Sequence, residues 1–125
     1  MEVQKLLRKL ILILSVLGFS TACSANTSSL EINNQLEHCV SVAPGGYQLH
    51  KNLHLYSLDF SVTQSIGYCG CKSALASVTV YQQGNYLMTQ TVKLKASRSI
   101  NVLLSPDEAA FNLAEYSINI SCGNV

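Results

Sequence analysis

Residues 69–81 read Cys-Gly-Cys-Lys-Ser-Ala-Leu-Ala-Ser-Val-Thr-Val-Tyr, and this stretch decides the character of the chain. From Ala74 onward, apolar residues alternate with polar ones, and this two-residue period predicts a β-strand with one buried face. The following Gln82–Asn85 contains Gly-Asn and predicts a hairpin turn. The returning strand is predicted over Tyr86–Leu94, with Tyr86, Met88, Val92 and Leu94 on one face. The stretch therefore predicts a β-hairpin headed by two cysteines.

Three further segments show the same two-residue period, namely Leu53–Val62, Ser99–Leu104 and Tyr116–Cys122. Leu53 and Leu55 are out of phase with the rest of their segment, which predicts a bulge near Leu55-Tyr56. Short strands with few intervening helices favour an all-β fold. We therefore predict a small antiparallel immunoglobulin-like β-sandwich with one or two short helical turns.

Local signals predict where the chain leaves the strands. Ser28-x-x-Glu31 is a capping-box pattern, which predicts a short helix near residues 30–38. Pro44-Gly45-Gly46 predicts a turn that ends an extended piece begun at Val40. Ser105-Pro106-Asp107-Glu108 predicts a helical start that continues for a turn or two through Phe111.

The N-terminus has the three parts of a secretory signal peptide. Lys5, Arg8 and Lys9 form the basic part, and residues Leu6–Phe19 form an apolar run. The small residues Ser20-Thr21-Ala22 then precede Cys23. The run is shorter than the ~20 residues that span a bilayer, which disfavours a permanent transmembrane helix. We predict a signal peptide over residues 1–22.

Cys23 stands where a bacterial lipoprotein carries its lipid. Ala22 fits that pattern, but Ser20 stands where lipoproteins usually have leucine, so cleavage after Ala22 or Ala25 remains an alternative. Ser24 after the cysteine favours the outer membrane. We predict a lipid anchor on the periplasmic face of the outer membrane, with the soluble periplasm as the alternative location.

The remaining chain is predicted to be a flexible tether over residues 23–29 and one β-sandwich domain over residues 30–125. The full chain has eight Lys and Arg and seven Asp and Glu residues, and residues 1–22 hold three of the basic and one of the acidic residues. The net charge of the exported part is therefore near −1. This balance gives no electrostatic reason to expect nucleic-acid binding.

Four cysteines remain after Cys23, and an even number in a small exported domain predicts disulfides among Cys39, Cys69, Cys71 and Cys122. Three pairings are possible. In the favoured structural interpretation, Cys69 and Cys71 each bond elsewhere, to Cys39 and Cys122. In the redox alternative, Cys69 and Cys71 bond to each other across Gly70, and Lys72 favours the thiolate.

A metal interpretation combines Cys69 and Cys71 with His50, His54 or Met88 in a soft site for Cu(I) or Zn²⁺. A single Cys-x-Cys is a weak signal, so we predict neither a metal nor a cofactor. A second minor possibility concerns Lys93, Lys95 and Arg98. Such a cluster most often marks a solvated sheet edge, and a basic binding patch is the alternative.

The cysteine stretch and the segments before it resemble two known families. Cys69-Gly70-Cys71-Lys72-Ser73-Ala74, together with Leu30-Glu31-Ile32, Cys39–Val42 and Pro44-Gly45, resembles the bacterial family called domain of unknown function 2195. That resemblance implies a small exported protein, often a lipoprotein, with no established activity. The Cys-x-Cys at the head of a strand is also distantly similar to the curli assembly protein of the C type. That likeness implies a periplasmic immunoglobulin-like sandwich with redox activity or inhibition of amyloid assembly.

These observations favour a non-enzymatic binding or assembly-accessory protein of the bacterial envelope, with an envelope protein as its partner. The sequence contains no glycine-rich phosphate loop and no Gly-x-Ser-x-Gly motif. The alternatives are a periplasmic thiol–disulfide oxidoreductase that uses Cys69 and Cys71, and an immunity-type protein that neutralises an envelope toxin.

Overall fold

The computed structural model describes residues 29–105 and 111–123, together with residue 3. The described residues form seven strands and two short 3₁₀ turns, Ile66–Cys69 and Leu113–Glu115. The strands are β1 (Glu31–Asn34), β2 (Val40–His50), β3 (Leu53–Val62), β4 (Leu75–Gln82), β5 (Asn85–Lys93), β6 (Arg98–Ser105) and β7 (Tyr116–Cys122). The predicted helical turn after Ser105 falls on residues 106–110, outside the described residues. No helix among the described residues is long and apolar enough to cross a membrane.

The seven strands form two sheets packed face to face. One sheet has the order β1-β7-β4-β5 and the other the order β2-β3-β6. All neighbours are antiparallel except β1 and β7, which run parallel. The predicted all-β sandwich is therefore confirmed.

The core lies between the sheets and follows the two-residue period of the strands. Strand β4 contributes Ala76, Val78 and Val80, and β7 contributes Ile118 and Ile120, all buried. Each fully buried Val or Ile stabilises the fold by about 1.5–3 kcal/mol relative to an exposed position. Because β4 and β7 are the two inner strands of their sheet, the face that they share is the centre of the core.

The predicted helix near residues 30–38 is wrong. The segment forms β1, which pairs with β7, and then turns through residues 35–39. The side chain of Asn34 stabilises the turn, because its Oδ1 accepts from the N–H of Leu36 (2.9 Å) and its Nδ2 donates to the carbonyl of Val40 (2.7 Å). Such local side-chain hydrogen bonds compete with a helix.

The predicted turn at Pro44-Gly45-Gly46 is also wrong, because β2 runs through it. The pairing of β2 with β3 shifts register between Pro44 and Gly46, which makes the triplet a bulge on an edge strand. Gly46 has φ = 101°, and a Cβ at Gly45 would lie 2.7 Å from the Oγ of Ser57. The glycines therefore permit a bulge within β2, at the position where the sequence pattern predicted that the extended segment ends.

The other turn predictions are close to the structure. The β4–β5 hairpin turns at Gln83 and Gly84, which both have positive φ (49° and 80°). The bulge predicted near Leu55-Tyr56 corresponds to a register shift between His54 and Leu55 in the pairing of β3 with β6. A second shift, at Tyr81, has no counterpart among the predictions.

That second shift changes the side on which Tyr86 lies. The sequence pattern predicted that Tyr86 shares the buried face of Met88 and Val92. In the structure Tyr86 pairs with Tyr81, Met88 pairs with Val80, and Leu87 is the extra residue between them. One extra residue moves Tyr86 to the opposite face, where it is 61% exposed.

The sandwich has two distinct ends. At one end, which we call the disulfide end, strands β2, β4 and β6 begin and strands β3 and β7 end. At the opposite end, which we call the aromatic end, are the β2–β3 turn at residues 51–52, the β4–β5 turn, and the start of β7. The four cysteines after Cys23 and most of the basic side chains lie at the disulfide end.

Candidate functional site: a turn held by two disulfide bonds

The chain crosses from β3 to β4, and so from one sheet to the other, through a compact turn at the disulfide end. Ser65 precedes the 3₁₀ turn, and its Oγ accepts from the N–H of Gly67 (3.4 Å). The N–H of Tyr68 donates to the carbonyl of Ser65 (3.0 Å). Ile66 is buried in the core, so the turn is attached by a hydrophobic side chain as well as by hydrogen bonds.

Gly70 reverses the chain between the two cysteines. It has φ = 91°, a left-handed conformation that glycine adopts without a steric penalty. Its N–H donates to the carbonyl of Gly67 (3.1 Å), and the N–H of Cys71 donates to the carbonyl of Ile66 (3.2 Å). The segment is therefore a tight turn, and not an extended strand in which Cys69 and Cys71 would point to the same side.

The predicted disulfide bonds are present. Cys39 bonds to Cys69 with a Cα–Cα distance of 6.2 Å, and Cys71 bonds to Cys122 with a distance of 5.1 Å. Cys39 lies directly before β2, and Cys122 is the last residue of β7, so the turn is bonded to both sheets. We refer to residues 65–72 as the clamped turn.

The pairing bears directly on the redox alternative. The sulfur of Cys69 bonds to Cys39, directly before β2, and the sulfur of Cys71 bonds to Cys122 on β7. Cys69 and Cys71 therefore do not bond to each other. Cys39 and Cys71 are buried, which restricts access by an external thiol. Lys72 follows on the exposed surface, beside a disulfide and not beside a thiol.

The structure separates the residues of the metal alternative, because the two histidines lie at the opposite end of the sandwich from Cys69 and Cys71. His50 ends β2 and His54 is the second residue of β3, so both lie at the aromatic end. Met88 lies on β5, partly buried against the core. Within residues 29–105 and 111–123, no group of three or more His, Cys, Asp or Glu side chains is arranged to hold a metal ion.

The clamped turn presents one large side chain to solvent. Tyr68 is 82% exposed, although the residues on both sides of it are fixed by the disulfides, the 3₁₀ turn and Ile66. Tyrosine has an apolar ring and a polar hydroxyl, and it is enriched at the centres of protein interfaces. A rigid backbone that carries an exposed tyrosine loses little conformational entropy on binding.

The structure also contains an aromatic cluster that was not predicted from the sequence. Phe111 stacks on three other rings: His54 (centroids 4.1 Å apart), Tyr47 (5.1 Å) and Tyr116 (5.0 Å). Tyr47 lies on β2, His54 on β3, Phe111 before β7 and Tyr116 on β7. The cluster therefore joins the two sheets at the aromatic end. Tyr116 is itself a buried core residue.

His54 is the polar member of this cluster. Its side chain is 7% exposed, and its Nδ1 shares a hydrogen bond with the hydroxyl of Tyr47 (2.6 Å). No sequence motif signals the cluster, because Phe111 is far from Tyr47 and His54 along the chain. Only the β2–β3 pairing and the return of the chain to β7 bring the rings together.

A Tyr47→Phe substitution tests the energetic role of this hydrogen bond. We expect the free energy of unfolding to fall by about 1 kcal/mol, because a buried histidine loses one polar partner while the ring stacking is preserved. Chemical denaturation followed by circular dichroism measures the change. Tyr86→Phe, which removes the hydroxyl of an exposed tyrosine, is the control and should leave stability unchanged. Equal effects of the two substitutions would contradict the assignment.

Comparison with known proteins identifies a family. The model of a protein family described as "Uncharacterized protein conserved in bacteria (DUF2195)" matches residues 11–125. No curated protein and no solved structure matches the chain. The family match includes the clamped turn and both disulfide bonds. Cys23, the predicted lipidation site, lies outside the residues that the structure describes.

Proposed function

This chain belongs to the DUF2195 family of bacterial proteins, and from that premise we propose that it is an exported, lipid-anchored protein of the cell envelope that acts by binding. In this proposal, residues 1–22 direct export and Cys23 carries the lipid. The sandwich then acts as a non-enzymatic binding or assembly-accessory module in the periplasm, with an envelope protein as its partner.

The disulfide bonds support the proposed compartment. Two bonds use Cys39, Cys69, Cys71 and Cys122 in a domain of about 100 residues. Disulfides persist in oxidising compartments such as the bacterial periplasm and are rare in the cytosol. The N-terminal pattern and the cysteine pairing are independent features of the chain, and they agree on export.

One observation carries the choice of binding over catalysis, namely that Cys69 and Cys71 are bonded to separate parts of the sandwich. A thiol–disulfide exchanger of the Cys-x-Cys type needs these two sulfurs to bond reversibly to each other. Here each sulfur instead fixes the backbone beside Tyr68. The clamped turn is therefore best suited to present a rigid surface to a partner.

Mass spectrometry of the protein purified from a bacterial envelope tests this proposal. We expect a mature N-terminus at Cys23 with covalently bound acyl chains, and peptides linked through Cys39–Cys69 and Cys71–Cys122. A Cys23→Ser variant should lose the acyl mass and leave the membrane fraction. Retention in the cytoplasm, or a reversible Cys69–Cys71 bond in the native envelope, would overturn the proposal.

Crosslinking in the envelope tests the role of the clamped turn. We expect Tyr68→Ala to abolish a specific crosslinked complex, because it removes the exposed ring without touching either disulfide. Tyr86→Ala removes a comparably exposed tyrosine on β5 and is the matched control. Complexes that persist unchanged in Tyr68→Ala would place the binding surface elsewhere.

A further inference from the structure

The basic side chains of the exported part are unevenly distributed. Five are present after Cys23, and four of these lie at the disulfide end: Lys72, Lys93, Lys95 and Arg98. The fifth, Lys51, lies in the β2–β3 turn at the aromatic end. No carboxylate of the described residues forms a salt bridge with any of these five side chains. The carboxylate of Glu37 instead lies 3.9 Å from the imidazole of His38. Among the described residues, the positive charge of the disulfide end therefore has no ion-pair partner.

An open cleft of about 460 Å³ lies beside this charge, between the end of β3 and the connection from β5 to β6. Its accessible apolar lining comes from Val62 and Ala74, because Leu94 is only 1% exposed, and its polar lining includes Ser65 and Lys95. The cleft is open to solvent along its length, so a ligand in it stays partly exposed. Apolar lining beside a cation suits a ligand that combines a negative charge with a small apolar group.

Hydrogen bonds hold the walls of the cleft in place. The N–H of Leu94 donates to the carbonyl of Ala74 (2.8 Å), and the N–H of Val62 donates to the Oγ of Ser97 (3.0 Å). The N–H and the hydroxyl of Thr63 both donate to the carbonyl of Cys39 (2.9 Å each). The cleft is therefore pre-formed and is attached to the disulfide that precedes β2.

The polar atoms of the lining have unused hydrogen-bonding capacity. The Oγ of Ser65 accepts from Gly67, which leaves its hydroxyl proton available to a ligand. The Nε2 of Gln64 donates to the carbonyl of His38 (2.7 Å), which leaves its Oε1 as an acceptor. Together with the ammonium of Lys95, the lining offers donors for a carboxylate and an acceptor for an amide N–H.

We propose that this cleft binds the carboxylate end of a peptide whose last residue is small and apolar. Lys95 and the Ser65 hydroxyl contact the carboxylate, the Gln64 side chain accepts from a peptide N–H, and the apolar side chain packs against Val62 and Ala74. The ion pair and its hydrogen bonds are charge-assisted and therefore stronger than neutral ones. This assignment deepens the proposed function by naming the chemistry of a partner, and it rests on that function.

The direction of β1 places the cleft away from the point where the chain enters the sandwich. Because β1 runs parallel to β7, the chain enters the sandwich at the aromatic end, where β7 begins. A strand of about eight residues is about 26 Å long. The cleft therefore lies about one strand length from the point where the chain enters the sandwich.

Calorimetric titration of the full chain, oxidised and in a mild non-ionic detergent, tests the assignment. The probe is acetyl-Ala-Ala with a free carboxylate, and acetyl-Ala-Ala-amide is the matched control ligand. We expect the amide and the Lys95→Gln variant each to weaken binding by about two- to fivefold, because each removes one half of an ion pair made by an exposed lysine. Lys51→Gln, at the opposite end, should bind as the unmodified chain does.

An Ala74→Leu variant tests the cleft independently of charge. The larger side chain occupies the apolar lining, so we expect loss of probe binding with an unchanged circular dichroism spectrum. Equal binding of acid and amide, equal weakening by Lys95→Gln and Lys51→Gln, or competition by vesicles of phosphatidylglycerol would overturn the assignment. Failure of the probe with retained acylation and retained Tyr68-dependent crosslinking refutes the cleft alone, whereas loss of those two features refutes the proposed function.

Discussion

Replacement of Cys71 and Cys122 together by alanine is expected to lower the free energy of unfolding by about 2–5 kcal/mol. This disulfide joins residues 51 positions apart, and the chain-entropy relation gives about 4 kcal/mol for a loop of that size. The bond also connects the clamped turn to an inner strand of the four-stranded sheet. Small domains are stable by only about 5–15 kcal/mol, so this loss is a large fraction of the total.

Urea denaturation monitored by circular dichroism measures this effect, and the dependence on urea concentration shows whether unfolding remains two-state. Tyr68→Ala is the control, because it changes an exposed side chain in the same turn and should shift stability by less than about 0.5 kcal/mol. The Cys39→Ala/Cys69→Ala variant should show a slightly smaller loss, since that bond closes a loop of 30 residues. Retention of full stability without the Cys71–Cys122 bond would contradict its structural role.

Phe60→Ala is expected to cost about 3–5 kcal/mol, the second large effect. Phe60 is 2% exposed and is the largest of the fully buried side chains. It lies on the inner face of β3, the central strand of its sheet, whose backbone is paired on both sides. Because close-packed neighbours relax only in part around a deleted ring, the substitution leaves a cavity in addition to the lost hydrophobic transfer energy.

The adjacent Ser61→Ala substitution is the control for Phe60→Ala. Ser61 lies on the same strand and is exposed, so it should have a negligible effect on the denaturation midpoint. A similar loss in the two variants would mean that β3 is sensitive to any change, and not that Phe60 fills the core. Thermal unfolding at neutral pH provides a second measurement of both variants.

The disulfide bonds also bear on how the binding surfaces are maintained. The Tyr68 ring and the proposed peptide cleft lie at the same end of the sandwich. The Cys39–Cys69 bond connects them, because Cys69 follows Tyr68 and the carbonyl of Cys39 accepts from the N–H of Thr63 in the cleft wall. Reduction of the disulfides should therefore weaken peptide binding at the cleft as well as stability. A domain that relies on these bonds is suited to an oxidising compartment and poorly suited to a reducing one.

The sequence alone determined the strand periods, the hairpin turn within Gln82–Asn85, and the even number of cysteines in the predicted exported part. These features are local, because a two-residue period reports which face of a strand is buried wherever the strand lies in the fold. The same local logic failed at Asn34, where side-chain hydrogen bonds overrode a capping pattern, and at Gly45-Gly46, where a strand passes through a turn signal.

Only the tertiary structure decided which cysteines pair, which rings surround His54, and where Lys95 lies relative to an apolar cleft. Each of these depends on contacts between residues distant in the chain, such as Cys71 with Cys122 or His54 with Phe111. Sequence spacing does not encode those distances, because they are set by strand order and register in the two sheets. The physical reason is that periodicity specifies the face a residue takes, whereas the packing of the sheets specifies the neighbours it meets.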